Sequence, residues 1–90
     1  MNYREIKKEL LENENIHSIS IDSRRKLIEI NPVQDKPFYN LNQPLKKYER
    51  EGEYEVGKYG IYFSIGGKQF KRIKSNYFNT IIYSITLKEI

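Results

Sequence analysis

Two adjacent glycines between alternating apolar segments are the feature that most constrains this fold. Gly66 and Gly67 separate the segment IYFSI from the segment KQFKRI. A two-residue hairpin turn needs positive φ angles, which glycine adopts without steric cost, so the pair predicts a tight β-hairpin. In that register Phe63 lies opposite Phe70, and this aromatic pair marks the face that packs on the core. The opposite face is predicted to be the wetter one.

The segment from Ile81 to Leu87 is predicted to be a central strand of the sheet. It is dominated by β-branched and aromatic residues, which suit a pleated, half-buried surface. Strict alternation places Ile81, Tyr83, Ile85 and Leu87 on one face, and Ile82, Ser84, Thr86 and Lys88 on the other.

The chain begins with the pattern of an amphipathic helix. Asn2 and Glu5 have the spacing of a capping box, and apolar residues follow at helical spacing. This apolar stripe consists of Tyr3, Ile6, Leu10 and Leu11. We predict a helix from Tyr3 to about Glu14 that packs on the sheet.

The segment IHSISID alternates like a strand, with His17, Ile19 and Ile21 on one side. Turn residues follow at Asp22 and Ser23, and the apolar segment from Leu27 to Ile30 returns as a partner strand. The pattern predicts a second hairpin.

The middle of the chain is less regular. Three prolines in residues 31–47 disfavour helix and strand, yet the apolar content predicts an ordered loop packed over a sheet edge. From Tyr48 to Val56, aromatic and apolar residues alternate with glutamates, which predicts a strand bulged at Gly52. Residues 1–90 are therefore predicted to form a single α+β domain: one N-terminal helix packed on an antiparallel sheet of about five strands.

Composition predicts the cellular location and limits the possible classes of function. The chain lacks cysteine, an apolar segment of membrane-spanning length and a signal-peptide pattern, so we predict a cytoplasmic protein without a membrane partner. The net charge of +4 permits an anionic partner without requiring one. Abundant isoleucine, lysine, asparagine and tyrosine indicate an AT-rich gene, as in many viruses and mobile elements.

Few residues suit catalysis. His17 is the only histidine and lies among isoleucines, and the glutamates from Glu49 to Glu55 are typical of a solvated edge. Gly66-Gly67-Lys68 lacks the remaining residues of a phosphate-binding loop. We therefore predict no catalytic residue, no metal site and no cofactor.

Cations interleaved with tyrosines predict a surface for nucleic acid. Lysine and arginine neutralise phosphates, and aromatic rings stack on bases. The candidate contacts are Arg24, Arg25, Lys26, Lys68, Lys71, Arg72 and Lys74. Alternation predicts that Lys68 and Arg72 share the face of Phe63 and Phe70, whereas Lys71 points the other way.

Tyrosine also predicts a protein-binding surface, because it offers a large contact area with little loss of rotamer entropy. The candidates near loops and edges are Tyr39, Tyr48, Tyr54, Tyr59, Tyr62 and Tyr77.

The opening segment carries a family resemblance. Met1-Asn2-Tyr3, a basic residue, Glu5, an amphipathic helix, Glu-Asn and an isoleucine-rich strand are similar to the start of a small anti-CRISPR family of archaeal viruses that inhibits type I-D effectors. The resemblance covers about a quarter of the chain and carries over no functional residue. It implies a viral α+β protein that binds a host defence complex.

Three hypotheses of function follow. The first is a non-catalytic viral or mobile-element protein that inhibits a host protein or nucleoprotein complex. The second is a small basic protein that binds DNA or RNA, and the third is a metal-independent ribonuclease toxin. The oligomeric state, including a homodimer, stays open.

Overall fold

The computed structural model describes residues 1–35, 44–50 and 61–90. Within these ranges one helix, α1, precedes six antiparallel strands in the order β1-β2-β6-β5-β4-β3. The elements are α1 (Tyr3–Leu11), β1 (Ile16–Asp22), β2 (Leu27–Pro32), a short 3₁₀ helix (Lys46–Tyr48), β3 (Glu49–Arg50), β4 (Tyr62–Ile65), β5 (Lys68–Phe78) and β6 (Ile81–Glu89). The predicted α+β fold is confirmed, with six strands instead of about five. The central position of β6 is also confirmed, because it lies between β2 and β5.

Helix α1 has the predicted capping box. The Glu5 amide donates to Asn2 Oδ1 at 2.9 Å, and the Asn2 amide donates to Glu5 Oε1 at 3.2 Å. The helix ends at Leu11 instead of the predicted Glu14. The Asn13 side chain accepts a hydrogen bond from the Asn15 amide at 2.8 Å, and such local bonds compete with helix continuation.

The helix rests on one face of the sheet, which we call the covered face. Its Ile6 and Leu10 are buried in one core with residues from five of the strands and from the segment before β3. The other core residues are Ile16, Ile19, Ile28, Ile30, Leu45, Phe63, Ile65, Phe70, Ile82, Ile85 and Leu87. Burial of each such side chain contributes about 1.5–3 kcal/mol. The buried Leu45 fits the predicted loop packed on the sheet, although residues 36–43 lie outside the described ranges.

The predicted Gly-Gly hairpin is confirmed in its register. Gly66 and Gly67 have φ angles of +58° and +81°, and Phe63 pairs with Phe70. The two glycines differ in their surroundings. A Cβ on Gly66 would lie 2.8 Å from Met1 Cβ and 3.0 Å from Ile6 Cγ1, whereas a Cβ on Gly67 would meet nothing within 4 Å.

This difference gives a prediction with its own matched control. Gly67→Ala is expected to cost about 1 kcal/mol of unfolding free energy, because alanine is strained at a positive φ. Gly66→Ala is expected to cost about 2 kcal/mol or more, since the same strain is joined by a clash with Met1 and with the Ile6 side chain of α1. Urea unfolding followed by circular dichroism measures both. Equal losses, or a larger loss at Gly67, would contradict the observed approach of α1 to this turn.

Two irregularities in the sheet overturn the predicted alternation. The β1–β2 register shifts between Ile16 and Ser18, so His17 is exposed and does not share the face of Ile19. The β5–β6 register shifts between Asn76 and Tyr77, where β6 carries an additional residue. Consequently Tyr83 is exposed, while Ile82 and Ser84 are buried, which corrects the predicted faces of this strand. The helical stripe is corrected at Leu11, which is exposed.

Candidate nucleic-acid interface

The face of the sheet opposite α1, which we call the open face, carries a row of basic and aromatic residues. Lys71 on β5 pairs directly with Lys88 on β6 and, on its other side, with Tyr62 on β4. Tyr62 in turn pairs with Arg50 on β3. Since neighbouring strands lie about 4.8 Å apart, this row from Arg50 to Lys88 spans about 14 Å across four strands.

The pairing of Lys71 with Lys88 opposes the stability of the sheet. Like charges directly opposite each other on neighbouring strands repel, and both side chains are exposed. In the described part of the chain, neither lysine forms an ion pair with a carboxylate. The Lys71 ammonium lies 6.0 Å from the centroid of the Tyr62 ring, at the outer limit of a cation–π contact.

Polar side chains continue along the open face from this basic row. Lys74 pairs with Thr86, beyond a third irregularity of the sheet, in which β5 carries an additional residue between Arg72 and Lys74. The Asn76 side-chain amide donates to Ser84 Oγ at 2.5 Å. Ser84 is buried, whereas Thr86 and Asn76 are half-buried, so the face combines positive charge with a hydroxyl and an amide group, which is the chemistry that binds phosphates and base edges.

Acidic residues on the open face are few in the described ranges. Glu29 on β2 pairs with Ser20 on β1 and, on its other side, with Thr86 on β6. Asp22 lies at the end of the face and is already engaged, because its carboxylate accepts from the Arg25 amide and pairs with the Arg25 guanidinium at 3.7 Å. Within the described ranges, neither of these carboxylates forms an ion pair with Lys71 or Lys88.

The structure divides the predicted cations among three places. Lys71 and Lys74 lie on the open face, where they join Lys88 and Arg50. Lys68 and Arg72 lie on the covered face, as the alternation predicts. The turn residues Arg24, Arg25 and Lys26 are exposed, and the amide of Glu89, which follows Lys88, donates to the Lys26 carbonyl at 3.0 Å.

Lys68 takes part in a contact that ties the helix to the last strand. The Tyr3 hydroxyl donates to Glu89 Oε1, and Lys68 Nζ lies 3.8 Å from Glu89 Oε2. Lys68 also lies 5.4 Å from the centroid of the Tyr3 ring. Burial and the Glu89 carboxylate raise the pKa of Tyr3 to about 12. The neutral phenol is therefore the favoured form, and the cluster is a structural clamp.

The clamp gives a pH-dependent prediction. Tyr3→Phe is expected to lower the unfolding free energy by about 1 kcal/mol at neutral pH, because it removes the hydrogen bond to Glu89. The folded-state pKa is raised, so the contribution of the hydroxyl is complete below pH 10 and is lost as the pH rises towards about 12. Denaturant unfolding of wild type and of Tyr3→Phe across this pH range measures the difference between their unfolding free energies. The contributions of the other titrating groups cancel in this difference. A difference that persists unchanged above pH 12 would contradict the clamp.

Arg72 is half-buried away from the open face. Desolvation lowers the pKa of its guanidinium, and Arg72 donates to Ser75 Oγ at 3.3 Å. This environment separates Arg72 from the lysines that neighbour it in sequence.

The predicted tyrosine contacts are also divided. Tyr62 lies on the open face, and Tyr77 is exposed near the β5–β6 turn. The Tyr48 ring packs against the core, and its buried hydroxyl forms no hydrogen bond within the described part of the chain. Tyr39, Tyr54 and Tyr59 lie outside the described residues, as does the predicted bulge at Gly52.

Lys88 and Arg50 are the site residues that sequence reasoning missed. The turn at Asn79–Thr80 was the available signal for Lys88, because it fixes the pairing of β5 with β6. Arg50 had no comparable signal, since its position depends on the short β3–β4 pairing.

Within residues 1–35, 44–50 and 61–90, no group of three or more histidine, cysteine or acidic side chains is placed to hold a metal ion. In the same ranges, no helix has the length and apolar character needed to cross a membrane.

Comparison with known proteins identifies no relative. No protein-family model, curated protein or solved structure matches this chain.

Proposed function

We propose that this chain is a non-catalytic binding protein that holds a single-stranded nucleic acid on its open face. The observation that carries the proposal is the direct pairing of Lys71 with Lys88. Residues that violate a local rule of stability, as this pair does, are concentrated at functional sites. A phosphate group bound between the two ammonium groups removes their repulsion and gains charge-assisted hydrogen bonds.

Aromatic residues near Lys71 and Lys88 favour the binding of a single-stranded nucleic acid over a duplex. The row includes the Tyr62 ring, and exposed rings of Phe78 and Tyr83 lie towards the other end of β5 and β6. Aromatic rings bind unpaired bases by stacking, whereas the faces of paired bases are hidden inside a duplex. The spread of the cations over four strands also suits a flexible backbone that crosses the sheet.

Salt dependence tests this proposal directly. Contacts from Arg50, Lys71, Lys74 and Lys88 predict that the logarithm of the association constant falls with the logarithm of salt concentration at a slope of about −3, or about −0.7 for each phosphate. Fluorescence anisotropy with a labelled oligothymidylate of about 12 nucleotides measures the slope. The matching duplex is expected to bind more weakly. Absence of binding at low salt, or a slope near zero, would contradict the proposal.

A second candidate function, the binding of a host protein, is supported by a different surface. Ile73 and Tyr77 on β5 are 52% and 54% exposed and border a common hollow. Exposed apolar clusters of this kind mark protein-binding sites. They support the inhibitor of a host protein or nucleoprotein that the resemblance of the opening segment implies.

A pull-down from host lysate compares the two candidates. The inhibitor hypothesis expects one stoichiometric protein that wild type retains and an Ile73→Ser variant loses. Retention that is abolished by nuclease treatment, and unaffected by Ile73→Ser, would support nucleic acid instead.

A further inference from the structure

Two irregularities of the sheet lie at the same end of the open face. The β1 irregularity leaves His17 exposed, and the β6 irregularity leaves Tyr83 48% exposed. Between them lies β2, where Asn31 pairs with Ser18. β-Bulges occur preferentially next to functional sites, because they redirect individual side chains.

These side chains line a common hollow. His17, Ser18, Asn31, Gln34 and Tyr83 border it, together with Pro32 and Val33. Tyr83 lies five residues before Lys88 on β6, a distance of about 16 Å along the strand. The hollow and the basic row are therefore separate parts of one face.

The chemistry of the hollow matches a nucleobase. Tyr83 presents an aromatic ring, and Asn31 and Gln34 each present an amide with donor and acceptor groups. The Asn31 amide donates to Ser18 Oγ at 3.4 Å, which uses one of its two N–H groups. Proteins recognise unpaired bases by stacking on a ring and by hydrogen bonds to the base edge.

We propose that this hollow is a nucleobase subsite, in which Tyr83 stacks on the base and Asn31 and Gln34 bind its edge. The inference rests on the proposed function, since the strand that crosses Lys71 and Lys88 supplies the base. The subsite adds a contribution to the binding free energy that depends on the bases and is independent of phosphate contacts.

An abasic oligonucleotide keeps the phosphates and lacks the bases, so it separates the contributions of phosphate contacts and base contacts to the affinity. Wild type is expected to bind an oligothymidylate about tenfold more tightly than an abasic chain with the same number of phosphates. Tyr83→Ala is expected to reduce this preference several-fold without changing the salt slope. Tyr83→Phe retains the ring and is expected to retain the preference. An unchanged preference in Tyr83→Ala would overturn the subsite.

A titration of wild type with thymidine, which carries no phosphate, makes failure of the subsite distinguishable from failure of the proposed function. Saturable shifts of the Asn31 and Gln34 side-chain amide signals in NMR spectra are expected, and they support the subsite even if no oligonucleotide binds. Salt-dependent oligonucleotide binding, combined with a silent thymidine titration and an unchanged preference in Tyr83→Ala, would overturn the subsite and leave the proposed function standing.

Discussion

Reversal of the cross-strand pair, with Lys71→Glu and Lys88→Glu in one chain, is expected to weaken oligothymidylate binding at about 50 mM salt by about 50- to 100-fold. The loss of two phosphate contacts lowers the salt slope by about 1.4, and this difference extends over 1.3 decades from 1 M to about 50 mM salt. Anisotropy titrations at several salt concentrations measure both quantities.

The fold of this variant should be preserved. The two glutamates still face each other across β5 and β6, so the like-charge repulsion of the wild-type pair is replaced by a similar one. The unfolding free energy is expected to stay within about 0.5 kcal/mol of wild type. A loss of binding in this variant therefore reports on the surface and not on unfolding.

A second double variant controls for net charge. Lys7→Glu with Lys8→Glu makes the same change in net charge on exposed positions of α1, which packs on the covered face. This control is expected to bind with nearly the wild-type salt slope. If it loses as much affinity as the Lys71 and Lys88 variant, binding depends on overall charge and the open face has no special role.

Phe70→Ala is expected to lower the unfolding free energy by about 3–5 kcal/mol. Phe70 is fully buried, pairs with Phe63 across the hairpin and contacts the Tyr3 ring edge-to-face at a centroid distance of 6.4 Å. Its removal opens a cavity where the hairpin meets the helix. The loss is a large part of the 5–15 kcal/mol that stabilises a typical domain.

Phe78 provides the matched control on the same strand. It is 71% exposed, so Phe78→Ala is expected to change the unfolding free energy by less than about 0.5 kcal/mol. Urea unfolding followed by circular dichroism measures both variants. Similar losses at the two positions would contradict the assignment of the covered and open faces.

Local signals explain why the fold was predictable from sequence. The capping box of Asn2 and Glu5 marks the helix start, and Gly66-Gly67 marks a turn through the backbone angles it requires. Each signal depends on residues a few positions apart. The α+β fold follows from these elements because a helix and a sheet with apolar faces must pack together.

The irregularities at His17 and Tyr83 were not predictable by alternation. Each arises from the pairing of two strands, and a period of two within one strand cannot reveal an additional residue in it. Strand pairing is also the reason why the sequence did not indicate Lys88 as a residue of the candidate site. Lys88 meets Lys71 only after β5 and β6 are paired around Asn79, which has a φ angle of +57°. Asparagine tolerates this left-handed conformation, so its turn signal is weaker than that of Gly-Gly.

The central claim is that the open face, and not the helix side, holds a single-stranded nucleic acid. Lysine acetylation followed by mass spectrometry, with and without a bound oligothymidylate, tests it directly. The account predicts that acetylation of Lys71, Lys74 and Lys88 falls several-fold in the complex, while Lys7 and Lys8 on α1 react as before. Protection of the helix lysines, or equal reactivity of all five in a saturated complex, would contradict the claim.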